Sequence, residues 1–177
     1  MPTVISIQKS GSVDRTLTLD DIATRAQNPD EILWIDFAGT PTQAQMDLLQ
    51  KEFALSVRTV AHLTRAHRGP RAVRFLHCRL VVIYDVALDA SGTVQSYELV
   101  HLIGERFLIT AHPSDSTVIP LASQDIEVNI QNFGFSISAL TFAVLDALVD
   151  RYDAVIVQLQ AEVEQLRQRI LAQHEAE

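Results

Sequence analysis

The chain is poor in several things at once, and each shortage excludes something. It has one cysteine, Cys78, in 177 residues. An internal disulfide is therefore impossible, and a reducing compartment is expected. No apolar run approaches the roughly 18 residues that read as a membrane span. The start, Met-Pro-Thr-Val-Ile-Ser, lacks the basic residues and long apolar core of a signal peptide, so a cytoplasmic location is expected. Positive charge is in deficit: the net charge is −8, which argues against general affinity for nucleic acid or anionic membranes. Catalytic signatures are missing too. There is no Gly-rich phosphate loop, no His-Glu-x-x-His, no Cys-x-x-Cys and no Gly-x-Ser-x-Gly. An enzyme is not expected. Nor is there an internal repeat or a low-complexity segment. Hydrophobic residues make up 47% of the chain, which is normal for a folded domain and excludes general disorder.

What is present is organised around one stretch. From Ser136 to about Gln173 there is no Gly or Pro. Large side chains recur at Leu145, Leu148, Tyr152, Val155, Leu159, Val163, Leu166 and Ile170, in steps of three and four. That period predicts a helix with a continuous apolar seam, capped by Ser136 or Ser138. About 38 helical residues would span roughly 57 Å, while a compact domain of this length has a radius of gyration of about 16 Å. Such a helix cannot lie wholly on its own domain. Its far end is expected to project as a rod, to stop without a C-cap signal at Gln-His-Glu-Ala-Glu, and to pack on another chain through Val155, Leu159, Val163 and Leu166.

The remainder alternates strand and helix signals. Val4 to Ile7 and Ile32 to Phe37 read as strands. Leu17 to Gln27 reads as a helix capped by Thr18. A second helix is expected from Thr40-Pro41, with Pro41 at the first helical position, and a third from Ser56 to Ala66. Phe75 to Leu88 contains a β-rich run, and Ala90-Ser91-Gly92 reads as a turn. Tyr97 to Ile103 and Arg106 to His112 read as a hairpin around Gly104-Glu105, pairing Ile103 with Arg106. One face would carry Tyr97, Leu99, His101, Ile103, Leu108 and Thr110; the other Val100, Leu102, Phe107, Ile109 and Ala111. Both are largely apolar, so the sheet should be covered on both sides. Ser116 to Val128 reads as a helix kinked or started at Pro120. These pieces predict a three-layer α/β/α fold with a mixed sheet, plus the long C-terminal helix. The core should include Trp34, Ile35, Val82, Leu102, Phe107 and Ile109.

Three groups of polar residues are candidates for function. Between Phe53 and Tyr84 there is no Asp or Glu, but there are Arg58, Arg65, Arg68, Arg71, Arg74 and Arg79. This basic patch reads as an anion-binding surface, as a face for acidic groups of a neighbouring subunit, or as solvated surface. The aromatics that stack single-stranded bases are scarce there. Asp146, Asp150 and Asp153 share a helical face at spacings of four and three. They are candidate ligands for a hard divalent cation, or a solvated edge. The six histidines show no metal-ligand spacing. His62 and His67 would lie on different faces of a helix, and His101 and His112 about 13 Å apart along the hairpin. Cys78 has no sequence neighbour positioned to activate it.

In order and spacing, the segments are similar to the cytoplasmic N-terminal domain of the CorA family of divalent-cation transporters. Trp34-Ile35-Asp36 resembles the family's Trp-Ile-Asp/Asn strand, and Phe53-Ala54-Leu55 its Phe-Gly-Ile segment. Gly69-Pro70-Arg71-Ala72 stands where the family has Arg-Pro-Lys-Val, ahead of a strand like Leu80-Val81-Val82-Ile83. Glu98-Leu99-Val100 through Phe107-Leu108-Ile109-Thr110 resembles its hairpin. The most specific piece, Leu145-Asp146-Ala147-Leu148-Val149-Asp150-Arg151-Tyr152, resembles Leu-Leu-Asp-Ala-Ile-Val-Asp-x-Tyr at the start of the stalk helix. The resemblance implies a funnel domain over residues 1–135 and the start of a stalk helix over 136–177, cut before the membrane part. It implies a homopentameric transporter of magnesium, cobalt or zinc in the inner membrane, this domain facing the cytoplasm as a regulatory unit. No cofactor is required, although magnesium or another divalent cation is a possible weak ligand. A free-standing adapter that pairs through its long helix is the alternative. One departure matters: the family's adjacent Glu-Asp pair, which helps sense magnesium between subunits, aligns with Ala61-His62.

Overall fold

The computed structural model describes residues 2–89 and 91–174. Ala90 of the Ala90-Ser91-Gly92 turn, and Glu175 to Glu177 at the end of the rod, lie outside the described residues. The chain opens with an antiparallel pair, β1 (Thr3–Gln8) and β2 (Val13–Leu17). A 3-10 turn (Leu19–Asp21) runs into the short helix α1 (Ile22–Arg25). Next come β3 (Glu31–Ala38), α2 (Gln43–Phe53) and α3 (Val57–Val60), the last extended by a 3-10 turn at Ala61–Leu63. Four strands follow: β4 (Arg71–Arg74), β5 (Arg79–Leu88), β6 (Val94–Ile103) and β7 (Phe107–His112). The chain ends in α4 (Val118–Gln124), α5 (Ile126–Phe133) and α6 (Ile137–His174).

All seven described strands form one sheet in the order β2-β1-β3-β7-β6-β5-β4. Only β3 and β7 pair in parallel; the other pairs are antiparallel. Each sheet face buries its own core. On one side Ile35, Phe37, Val82, Leu102, Phe107 and Ile109 pack with Ile22, Leu49 and Val60 of α1 to α3 and with Leu55 between α2 and α3. On the other, Trp34, Leu99 and Leu108 pack with Val118, Ile126, Leu140 and Val144 of α4 to α6. The expected α/β/α arrangement is present, and all six expected core residues are buried.

Several local expectations need correction. The Leu17 to Gln27 segment is strand end, 3-10 turn and one helical turn, not a full helix. Pro41 is not at the first helical position of α2. Thr42 is the N-cap, its hydroxyl accepting from Gln45 N while the Gln45 side chain accepts from Thr42 N. The third helix stops at Leu63, and the expected Ser116–Val128 helix is broken in two at Asp125. Asn129 to Phe133 is not a lead-in but the body of α5. The sequence signals also missed β2 and β4.

The β6–β7 hairpin has a wider turn than expected. Ile103 pairs with Leu108, not with Arg106, and Gly104 N donates to Phe107 O at 2.8 Å. The Phe107 ring folds over Gly104, so a Cβ there would meet it at 2.1 Å. The register moves by two residues, and an even shift keeps every side chain on its face.

Candidate functional site

The long helix α6 begins where Ser136 Oγ accepts from Ala139 N at 3.3 Å. Its first third is core: Ala139, Leu140, Ala143, Val144 and Leu148 are buried against the sheet and α4–α5. Val155 is buried as well, at 7% exposure, so it belongs to this chain's own packing and not to an exposed contact seam. From Ile156 to Gln173 every residue is exposed. Leu159, Val163 and Leu166 of the expected contact set lie there, with Ile170 and Leu171 beyond them. Glu162 still reaches the body, its carboxylate beside Gly92 in the β5–β6 turn.

Two polar contacts pin the helix to the sheet. Asp85 on β5 is fully buried, and its carboxylate takes Ser116 Oγ–H at 3.0 Å and faces Arg151 Nε at 3.5 Å. The Tyr152 hydroxyl donates to the Tyr84 carbonyl. A buried carboxylate is tolerated only with such partners. Arg151 and Tyr152 both come from the segment whose Asp-x-Tyr pattern carried the family resemblance.

Side chains alternate along β5, so Tyr84 reaches the opposite face. Its hydroxyl donates to Glu98 Oε2 at 2.8 Å and lies 3.0 Å from His67 O. Glu98 also accepts from His67 N at 2.9 Å, and its Oε1 lies 2.7 Å from His67 Nδ1. His67 Nε2 is in turn 2.9 Å from His62 Nδ1, the two rings stacked at 5.3 Å. Since a carboxylate only accepts, His67 carries its proton on Nδ1. His67 Nε2 and His62 Nδ1 then share a single hydrogen bond. The expectation that these histidines point apart fails because the helix ends at Leu63 and the chain folds back. Burial, together with the nearby charges of Arg65, His67, Arg71 and Arg58, pushes the His62 pKa down to about 4. All six arginines of the patch are exposed, and none joins an ion pair among the described residues.

A second polar group lies under α6. The Trp34 indole N–H donates to Thr110 Oγ1 at 3.0 Å, and Thr110 donates to Asp36 Oδ1 at 2.5 Å. The His112 ring sits between Pro113 O, 2.7 Å from Nδ1, and Asp36 Oδ2, 3.3 Å from Nε2. Burial opposes charge on this ring, but the Asp36 hydrogen bond and charge outweigh it, and the His112 pKa is raised. His101 lies opposite Thr110. His101 and His112 are therefore diagonal neighbours at about 7–8 Å, not 13 Å apart. His101 Nδ1 is 3.3 Å from Val81 O, and its buried Nε2 has no partner. Sequence reasoning missed this group because its members are far apart in the chain. The even spacing of Trp34-Asp36 and Thr110-His112 on two core strands was the available signal.

The acidic candidates do not converge. Asp146, Asp150 and Asp153 are all exposed. Among the described residues, no three His, Cys, Asp or Glu side chains gather closely enough to hold a metal ion. Cys78 is buried, and that burial pushes its thiol up to about 11, so it is no nucleophile near neutral pH.

Residues 29–177 match the family model described as CorA-like Mg2+ transporter protein. The chain belongs to that family. Among solved structures, this CorA-like chain is similar to the full-length CmaX protein, with 18% identity and a TM-score of 0.77 over 96% of this chain and 51% of that one. It is similar to the soluble domain of CorA from Methanocaldococcus jannaschii, with 17% identity and a TM-score of 0.68 over 96% and 64%. It is also similar to the ZntB cytoplasmic domain from Vibrio parahaemolyticus RIMD 2210633, with 12% identity and a TM-score of 0.68 over 92% and 64%. At these identities the likeness is one of fold. The chain spans between half and two thirds of the length of these structures. No curated protein matches it. No helix among the described residues is long and apolar enough to cross a membrane.

Proposed function

We propose that this chain is the cytoplasmic regulatory part of a CorA-like divalent-cation transporter, working as a homo-oligomer in the inner membrane. One observation carries the reading: α6 is pinned to the sheet by Arg151 and Tyr152 and then presents Leu159, Val163 and Leu166 to solvent. A row of apolar side chains on a projecting helix calls for a partner chain. Family membership makes further copies of this chain the economical partner, and the pentamer expected for the family is the assembly we propose. The full-length CmaX structure extends well beyond the part matched here, and the pore we propose belongs to a corresponding remainder.

The ion is the finer question. Ala61-His62 puts a methyl and an imidazole where two carboxylates would bind magnesium, and Arg58, Arg65 and Arg71 surround His62 with positive charge. Magnesium requires hard oxygen ligands. Asp146, Asp150 and Asp153 are the remaining carboxylate candidates, and they need ligands from a second chain to do more than hold a hydrated ion. Regulation by magnesium is therefore expected to be weak, with a dissociation constant in the millimolar range typical of open oxygen sites. Transport of zinc is the second reading, favoured by the imidazole at position 62.

The test is transport by the complete gene product in liposomes loaded with a magnesium or a zinc indicator. Uptake that stops when Leu159 and Leu166 are both changed to Ser supports the reading. A gene product that spans no membrane and moves neither ion would leave the adapter as the better account.

A further inference from the structure

The β4–β5 hairpin ends in a tip that ordinary turn chemistry does not explain. Phe75, Leu76, His77 and Cys78 connect the strands, and Phe75 N donates to Cys78 O at 2.8 Å. Glycine, proline and short polar residues dominate such turns, and none is present here. Phe75 and Cys78 pack on the core shared with α1 to α3. That anchors the tip and leaves Leu76 89% exposed. A lone exposed leucine means little; its flanks carry the information. Arg74 and Arg79 are register partners across β4 and β5, and like charges directly opposite each other are destabilising. Both are exposed and in no ion pair among the described residues. Glu105 lines the same hollow but is in no such pair either. Arginine on an edge strand also deters strand pairing. That accounts for Arg74 on β4, but not for Arg79 on the inner strand or for the apolar tip.

The complementary surface lies on the other helical layer. Where α4 and α5 meet α6 there is a groove of about 290 Å³. Leu121, Ala143 and Ala147 give it an apolar lining, and Asp125, Asp146 and Asp150 ring it with carboxylates. All three are exposed and in no ion pair among the described residues. Arg151 also lines the groove, but it is turned to buried Asp85 at 3.5 Å. The volume falls just short of usual small-molecule sites, about 300 Å³ and upward, and has room for one aliphatic side chain.

We propose that Leu76 of one copy of this chain enters the groove of the next copy, with Arg74 and Arg79 paired to the carboxylates around it. An apolar centre inside a charged rim of opposite sign is the anatomy of a specific interface. The inference rests on the homo-oligomer of the proposed function and adds a contact in the body of the domain to the α6 seam. Tip and groove are different surfaces, so the contact runs head to tail and closes a ring when repeated about an axis.

The first experiment mixes full chains carrying Leu76→Cys with differently tagged chains carrying Ala147→Cys, under mild oxidation. The parent, whose Cys78 is buried, gives the background. Disulfides between unlike chains should exceed those between like chains. The second follows association by sedimentation. Arg74→Glu/Arg79→Glu and Asp146→Arg/Asp150→Arg should each weaken it about tenfold or more, as for like charges set against each other in an interface. The chain with all four changes restores opposite signs and should return to within about threefold of the parent. These side chains are exposed, and thermal unfolding of each variant is the control for folding. An assembled parent without the unlike disulfide, disulfides only between two Leu76→Cys chains, or no recovery in the folded fourfold variant would overturn this contact and leave the oligomer standing. A parent that is monomeric at high concentration and forms no disulfide would remove the oligomer and this contact together.

Discussion

At the residue scale, three histidines respond to pH, and not all in the same direction. His101 is 3% exposed, and burial pushes its pKa down to about 4, against the Val81 hydrogen bond and the Asp36 charge. A base depressed below its unfolded value of about 6.5 leaves the fold fully stable above that pH. Stability is then lost as pH falls through the window down to about 4. For His101 alone the loss at pH 4.5 is about 2–3 kcal/mol. His62 acts in the same direction. His112 acts oppositely: its raised value contributes stability below about 6.5 that is lost as pH rises through the folded pKa. Replacing His101 by Leu removes the unpartnered Nε2 and the titration together. The variant should match or exceed the parent at pH 7 and lose about 2–3 kcal/mol less between pH 7 and pH 4.5. Urea unfolding at the two pH values measures this; equal losses in both proteins would place the acid sensitivity elsewhere.

At the element scale, one buried charge adds to the packing that holds α6. Asp85 has no exposed surface, so Arg151→Met would leave its carboxylate facing Ser116 alone. Breaking a buried pair from one side costs about 3–5 kcal/mol, and Arg151 is partly exposed, so the lower end is expected. Thermal unfolding of Arg151→Met beside Asp85→Asn/Arg151→Met gives the check, the double variant recovering part of the loss. Arg151 was legible in the sequence only as part of a family pattern. Its partner was not, because Asp85 sits in an apolar run where a carboxylate signals nothing until the helix is placed over it. The core and the α/β/α layering were legible, since period-two and period-3.6 patterns report burial directly. Hairpin faces survived an incorrect register for the same reason. β4 was invisible: Arg71 to Arg74 is fully exposed and carries no burial pattern. The fold-back that joins His62 to His67 was lost with it.

At the scale of the whole molecule, the two halves of α6 obey different demands. The first half completes a core, and the second, from Ile156 onward, has none of its own. Changing Leu159 and Leu166 to Ser should leave thermal stability within about 0.5 kcal/mol of the parent, as for exposed sites. It should also shift sedimentation from an assembled species toward the monomer. A parent that sediments as a monomer at high concentration would remove the reason for assigning those residues to a partner.

The Asp85–Arg151 contact also makes α6 a lever with a fixed fulcrum. Arg151 to His174 is 24 residues of continuous helix, or about 35 Å. Turning the helix about that point by roughly 10° would sweep its described end through about 6 Å, given the helical rise. At the fulcrum, the same turn displaces atoms by well under the length of a hydrogen bond. Tyr84 and Asp85 are consecutive residues on opposite faces of one strand, so the ring cluster on the far face lies a single peptide from the pivot. Mechanical gain, rather than a long chain of contacts, is what this geometry offers for carrying a small shift at the sheet to the end of the rod.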